Sequence, residues 1–112
     1  KGFAVLATRR QYLRISMACY VVADILITDR ARYAEYEAGF MAILLAFEGE
    51  ILAVDEQACA LEGATKGQRQ VILRFESEAK AQAWYHSDDY QSLMQHRLAG
   101  SEGNVILVHG LG

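Results

Sequence analysis

The sequence has no proline, so no cis-proline turn shapes a site in this chain. Long apolar runs are also missing, and the longest are too short for a transmembrane helix. Cysteine is scarce: Cys19 and Cys59 are the whole complement, and no signal-peptide pattern precedes them. Both lie in apolar, strand-like sequence. We therefore predict two buried free thiols in a protein of a reducing compartment, the cytoplasm.

Basic residues are rare beyond the first sixteen positions. That leader has no acid, and its cations are Lys1, Arg9, Arg10 and Arg14. Because the whole chain has a net charge of −3, residues 17–112 carry −3 − 4 = −7. An acidic body argues against a nucleic-acid partner. We predict an N-terminal extension over 1–16, with Phe3, Val5 and Leu6 packed on a single domain over 17–112.

Strand and helix patterns alternate along the rest of the chain. The predicted strands are 19–27, 50–54 continued by 58–63, 70–75 and 104–110. Apolar residues at spacings of three and four predict a helix over 30–48, with Asp29 as its N-cap and Gly49 as its stop. A second helix begins at Ser77, is interrupted near Ser87 and ends before Gly100 to Gly103.

The order β-α-β-β-α-β is that of the ferredoxin-like fold of the α+β class. Short connections and right-handed crossovers then predict a four-stranded antiparallel sheet in the order 4-1-3-2, with two helices on one face.

The strands indicate a partner. CYVVADILI, VILRF and NVILV do not alternate between apolar and polar residues, although a strand with one solvated face should. Two helices cover only one side of the sheet, and an apolar face of this size is not left in water. We predict a homodimer through the open sheet face, related by a two-fold axis.

Several motifs together resemble the family named domain of unknown function 1330. They are CYVVADILITD, RYAEYEAGF, ALEG, the VILRF strand, AWYHSDDYQSLMQHRLAGSEG and NVILVHG, and they run from Met17 to Gly110. The family's members are short proteins of the dimeric α/β-barrel superfamily, so the resemblance implies that fold and a dimer. It implies no activity, because the family has none assigned.

The stretch AWYHSDDYQSLMQHR is rich in reactive side chains, and we interpret most of it as structural. Ser87 or Asp88 can cap the restarted helix, and Asp89 then lies where the helix dipole favours negative charge. His86 and His96 do not have the spacing of metal ligands. We predict no metal site and no cofactor.

A polar group in the strands is a better candidate for function. Asp24, Arg74 and His109 interrupt apolar runs in strands that the topology makes neighbours, with Asp24 and Arg74 near the same height. They form either a structural ion pair or the polar end of an apolar pocket between helices and sheet. The predicted ligand-binding residues are Asp24, Tyr33, Tyr36, Arg74, Trp84 and Tyr90.

Three functions remain open. The first is binding of a small organic ligand, aromatic or polyketide-like, in that pocket. The second is a cofactor-independent monooxygenase or isomerase with Asp24 or His109 as its base; it rests on the superfamily's fold. The third is a structural or stress-associated dimer without a ligand. An open pocket with converging polar groups would favour the first two.

Overall fold

The computed structural model describes residues 17–65 and 67–111. The elements are β1 (Cys19–Ile27), α1 (Arg30–Ala46), β2 (Glu50–Asp55), β3 (Arg69–Phe75), α2 (Glu78–His86), α3 (Asp88–Gly100) and β4 (Ser101–His109). The strands form one antiparallel sheet in the order β2-β3-β1-β4, which confirms the predicted topology. The predicted packing of Phe3, Val5 and Leu6 lies outside the described residues.

Side-chain caps fix where the three helices begin. Asp29 accepts a hydrogen bond from the backbone N–H of Arg32 at 3.1 Å, and Ser77 accepts one from Lys80 at 3.2 Å. Ser87 serves two helices: its hydroxyl donates to the Trp84 carbonyl at the end of α2 and accepts from the Tyr90 N–H in α3. The predicted interruption at Ser87 is thus confirmed, and it divides the second predicted helix into two.

The end of α1 differs from the prediction. Glu48, not Gly49, has the left-handed backbone conformation, with φ of 63°. Gly49 is required for packing instead, because a Cβ at this position would lie 2.5 Å from a Leu44 methyl and 2.7 Å from the Phe75 ring. The chain therefore reverses at Glu48 and passes close to the core at Gly49.

The predicted strand over 58–63 is wrong. Pairing of β2 with β3 ends at Asp55, whose carboxylate accepts a hydrogen bond from the Gln57 N–H at 2.7 Å. This Asx turn redirects the backbone, so 58–63 pairs with no strand of the described chain. Cys59 is consequently exposed, against the prediction, whereas Cys19 is buried in β1.

The helices cover one face of the sheet, and the core lies between the two layers. Successive residues of β1 alternate between the faces, and the helix-facing Cys19, Val21 and Ile25 are buried. Phe75 and Trp84 are the largest fully buried side chains of the core. Among residues 17–65 and 67–111, none of the helices has both the length and the apolar character needed to cross a bilayer.

The other face of the sheet, here called the open face, combines apolar rows with one polar row. The strand register places Ala53, Ile72, Val22 and Ile106 side by side across the four strands. The next row consists of Asp55, Gln70, Asp24 and Asn104. The expectation of a nearly uniform apolar face therefore applies to only part of it, because Asp24 belongs to a polar row that crosses the whole sheet.

Candidate functional site

A cavity of about 170 Å³ lies between α1 and the sheet. Its floor is formed by the helix-facing side chains of the strands, including Val21, Ala23, Val71 and Leu73. These positions share a face because they are paired in register and spaced two apart. The sheet therefore supplies an apolar floor.

The exposed lining residues mark the mouth of the cavity. Glu37 and Met41 lie one turn apart on α1, and Val54 lies opposite them on β2; all three are exposed. The cavity is therefore open to the surface between α1 and the edge strand β2.

Four buried aromatic side chains from three helices lie on the opposite wall, beside the partly buried Phe40. Tyr33 and Tyr36 are one turn apart on α1, Trp84 comes from α2 and Tyr90 from α3, and all four are buried. The Trp84 and Tyr90 rings lie 4.2 Å apart between centroids, and those of Tyr36 and Tyr90 lie 6.1 Å apart, edge to face. All four line the same cavity, and their role in ligand binding stays a prediction.

The hydroxyls of Tyr36 and Tyr90 form a hydrogen bond of 2.6 Å inside this wall. Burial raises the pKa of Tyr36 well above its usual value, and the Tyr90 hydroxyl raises it further. Two hydroxyls carry two hydrogens, and their mutual bond uses one. The pair therefore keeps one O–H hydrogen for another acceptor.

Arg97 lies on the same side of α3 as Tyr90, two turns away, and lines the cavity. Only 8 % of its surface is exposed, and its guanidinium lies over the Tyr36 ring at 5.9 Å from the centroid. Burial lowers its pKa, but Tyr90 and Tyr36 outweigh burial, so the net pKa is raised and the side chain stays charged.

A second arginine, Arg69, also lines the cavity, but its charge is already paired. Its guanidinium nitrogens form salt bridges with the carboxylates of Glu37 at 3.0 Å and Glu56 at 2.6 Å. Glu56 also forms a salt bridge with Arg30 at the start of α1. The Arg69 guanidinium also lies over the Tyr33 ring, 5.4 Å from the centroid. Arg69 therefore ties α1, the loop after β2 and β3 together on the side of the cavity nearest Tyr33.

Three buried side-chain nitrogens lack a hydrogen-bond partner among the described residues: Arg69 Nε, Trp84 Nε1 and Arg97 Nε. All three belong to residues that line this cavity. Each carries an N–H donor, and buried donors are normally satisfied. The residues that line this cavity thus carry three buried donors without an acceptor in the described chain, which favours acceptor atoms in whatever occupies the cavity.

Asp24 and Arg74 do not line the cavity, so the prediction that they form its polar end is wrong. Both project from the open face, where Asp24 accepts hydrogen bonds from Gly67 N at 3.0 Å and Gln70 Nε2 at 2.7 Å. Arg74 pairs with Glu50 at 3.0 Å. The two are not at the same height, because Asp24 is in register with Gln70 and Arg74 with Tyr20.

The histidines and Ser87 are also placed away from the cavity. His109 Nε2 lies 2.7 Å from a Glu78 carboxylate oxygen, and His96 Nδ1 accepts a hydrogen bond from Arg32 at 2.9 Å. Ser87 is a cap, as predicted. Among the described residues, no group of three or more His, Cys, Asp and Glu side chains is arranged to hold a metal ion.

Sequence reasoning missed Arg69 and Arg97 as cavity residues. Arg69 precedes Val71, Leu73 and Phe75 in steps of two, so strand alternation alone places it on the helix-facing side. Arg97 follows Tyr90 by two helical turns, which places it on the same helix face. Both signals were present, but charged residues at strand and helix ends usually point to water.

The fold and this cavity define the class of protein: a ferredoxin-like α+β sheet with helices on one face. Within that class the chain belongs to the family described as Domain of unknown function (DUF1330), whose model matches residues 18–111. No curated protein shows a significant sequence match.

Three solved structures illustrate the similarity in fold. A protein of unknown function from Rhodopseudomonas palustris has 12% identity and a TM-score of 0.74, covering 96% of this chain and 93% of that one. A candidate antibiotic biosynthesis monooxygenase from Caulobacter crescentus has 17% identity and a TM-score of 0.54, covering 93% and 97%. A Bacteroides thetaiotaomicron protein of unknown function, described as a candidate oxidoreductase, has 13% identity and a TM-score of 0.57, covering 85% and 99%. At these identities the likeness shows the fold.

Proposed function

We propose that this protein binds a small organic ligand, of the size of one ring, in the cavity between α1 and the sheet. The observation that carries the proposal is the cavity itself: apolar strand residues on one side, four buried aromatic side chains on the other, and an open mouth. Ligand sites are typically concave and largely apolar, with a few polar groups that orient the ligand.

The size of the cavity limits the ligand. A buried apolar cavity of roughly 150 Å³ is large enough to bind benzene, and this cavity measures about 170 Å³. The aromatic wall favours a flat ring, because Tyr36, Trp84 and Tyr90 can each contact it through an edge or a face. A single substituted ring or a short branched chain therefore fits, and a fused multi-ring polyketide does not fit without movement of α1.

The proposal includes a homodimer through the open face. Ile106 and Val108 are 55% and 42% exposed there, and Val22 and Ile72 lie beside them in register. A second copy would cover these apolar rows around a two-fold axis, and the polar row through Asp24 would fix the register by hydrogen bonds. The charged pair of Glu50 and Arg74 lies in the edge-strand corner of this face, as expected for the rim of an interface.

A cytoplasmic location is part of the same proposal. The thiol of Cys59 is free and exposed to oxidation. Exposed free thiols are suited to a reducing compartment.

The monooxygenase or isomerase hypothesis has less support from the geometry. The Caulobacter and Bacteroides proteins are described in terms of oxidation chemistry, but their identities to this chain are only 17% and 13%. Neither Asp24 nor His109, the two candidate bases, lines the cavity. We therefore rank ligand binding first and catalysis second.

The test is a binding titration that uses Trp84 as the reporter, since it is the only tryptophan and lines the cavity. Phenol, benzoate, benzamide and hexanoate serve as probes. We expect a saturable change in fluorescence and a rise in the melting temperature for at least one probe, because a ligand that binds only the folded state stabilises it.

A pair of alanine-to-leucine variants provides the control. Ala23→Leu places extra methyl groups on the floor of the cavity and should abolish binding, whereas Ala42→Leu on the exposed side of α1 should leave it intact. Binding that is unchanged in Ala23→Leu would show that the probes bind elsewhere. If no probe binds the wild-type protein at millimolar concentration, the remaining hypothesis is a structural or stress-associated dimer without a ligand.

A further inference from the structure

The most unusual group in the molecule is the Arg97 guanidinium. Arg97 is 8 % exposed, yet no carboxylate of the described residues lies within 4.0 Å of its nitrogens. The other arginine of the cavity, Arg69, shows the usual arrangement, with Glu37 and Glu56 as partners. Charged side chains are almost never this deeply buried without a counter-charge, because the loss of hydration must be offset.

Arg97 lies beside tyrosine rings and hydroxyls, none of which carries a full negative charge at neutral pH. Its guanidinium lies over the Tyr36 ring, and its interactions with the Tyr90 and Tyr36 hydroxyls raise its pKa. Those hydroxyls bind each other and keep one hydrogen to donate. Trp84 Nε1 and Arg97 Nε are buried N–H groups without acceptors in the described chain. One cavity thus presents a permanent cation and several hydrogen-bond donors.

We propose that the ligand of this cavity carries a carboxylate, which the Arg97 guanidinium binds with help from the Tyr36–Tyr90 hydroxyl pair. The inference rests on the proposed function and names its ligand class. A carboxylate is the planar, singly charged partner that matches the fork of N–H groups on a guanidinium. Its two oxygens accept about four hydrogen bonds, enough for the guanidinium, a tyrosine hydroxyl and the Trp84 N–H.

The rest of the cavity determines what the carboxylate is attached to. The floor of Val21, Ala23, Val71 and Leu73 offers no hydrogen bond from a side chain. The ligand is therefore amphiphilic: one carboxylate at Arg97 and a compact apolar body, aromatic or aliphatic, between the sheet and the aromatic wall. A phosphate dianion fits less well, because it would bring a second charge against a single unpaired cation.

The experiment compares matched acids and amides on the full chain at pH 7. Benzoate, phenylacetate and hexanoate are each titrated beside the corresponding primary amide, with Trp84 fluorescence and calorimetry as readouts. Each pair has the same shape and differs in charge. We expect the acids to bind about tenfold or more tightly than their amides, since hydrogen bonds to an ionised acceptor are the stronger ones.

Two arginine-to-methionine variants distinguish an effect of the Arg97 guanidinium from an effect of the overall charge of the protein. Arg97→Met should remove the preference for the acids, so that each acid binds no more tightly than its amide. Arg74→Met removes the same charge from the open face and should not alter the preference. If Arg97→Met does not fold, Tyr90→Phe replaces it, with a smaller loss of affinity for the acids expected.

The outcomes distinguish the ligand class from the proposed function. Equal affinities of acids and amides for the wild-type protein would overturn the carboxylate inference and leave ligand binding in the cavity standing. A preference for acids that survives in Arg97→Met would also overturn it. Failure of every acid and every amide to bind would overturn both.

Discussion

The hydroxyl oxygens of Tyr36 on α1 and Tyr90 on α3 lie 2.6 Å apart in the buried wall of the cavity. This contact joins two helices that are separated by a strand hairpin and α2 in the sequence. The same two hydroxyls lie beside Arg97, which is the residue proposed to bind the carboxylate of the ligand.

Removing one hydroxyl of the pair should destabilise the protein, and removing the second as well should cost less than it does alone. Tyr36→Phe leaves the Tyr90 hydroxyl buried with one partner fewer, which costs about 1–3 kcal/mol of unfolding free energy. The double variant Tyr36→Phe/Tyr90→Phe should cost clearly less than the sum of the single variants. Urea denaturation measures all three, and Tyr85→Phe, a partly exposed control, should stay within about 0.5 kcal/mol of wild type. Additive losses would contradict the contact.

Stability should decrease at alkaline pH. Burial raises the pKa of both Tyr33 and Tyr36 in the folded state, above an unfolded value of about 10. Above that value the unfolded chain releases the protons before the folded one does, so the free energy of unfolding falls as pH rises. Below about pH 10 these groups contribute no pH dependence. Tyr36→Phe should flatten the alkaline decrease measured by urea denaturation; an equally steep decrease in wild type and variant would contradict the assignment.

Ser87→Ala should weaken both helices that meet at this residue. The hydroxyl accepts from the Tyr90 N–H and donates to the Trp84 carbonyl, so its removal costs about 0.5–2 kcal/mol, the range for an N-cap. Ser92→Ala, at an exposed position within α3, is the matched control and should be neutral or slightly stabilising. Thermal and urea denaturation provide the measurement. Equal effects of the two substitutions would show that Ser87 is not an essential cap.

Asp24→Asn should leave binding of the probes unchanged within about twofold, since Asp24 projects from the open face. The sequence-based hypothesis required the opposite result, because it placed Asp24 at the polar end of the pocket. Titration of the variant with benzoate distinguishes a position of Asp24 on the open face from a position in the pocket. A large loss of affinity in a variant that still folds and dimerises would place Asp24 functionally in the site.

Ile106→Asp should convert a dimer to a monomer. Ile106 lies in the apolar row at the middle of the open face, where a buried unpaired carboxylate would be costly in a sheet-on-sheet contact. Leu98→Asp places the same charge on an exposed leucine of α3 and should leave the dimer intact. Sedimentation at micromolar concentration measures both. A wild-type monomer would refute the dimer directly.

Most of the fold could be predicted because local and long-range signals agreed. The three caps, Asp29, Ser77 and Ser87, lie where side-chain chemistry requires them, and the strand order followed from topology rules. The prediction of a strand over 58–63 was wrong because the apolar composition of a segment does not reveal whether it has a strand to pair with. The Asx turn at Asp55 had already ended the edge strand.

The site could be predicted only in part. Aromatic residues at helical spacing identified the cavity wall, since Tyr33 and Tyr36 had to share a face of α1. The choice of Asp24 and Arg74 failed because charge alone does not tell which sheet face a residue occupies, whereas register does. The two arginines that line the cavity, Arg69 and Arg97, lie at element ends, where charges are usually solvated.

A crystal structure of the protein with bound benzoate would test the proposed site most directly. We expect the ring between the floor at Ala23 and the aromatic wall, with the carboxylate against the Arg97 guanidinium. Benzoate bound only on the open face, or a filled cavity in which Arg97 pairs with a carboxylate of its own chain, would contradict this expectation.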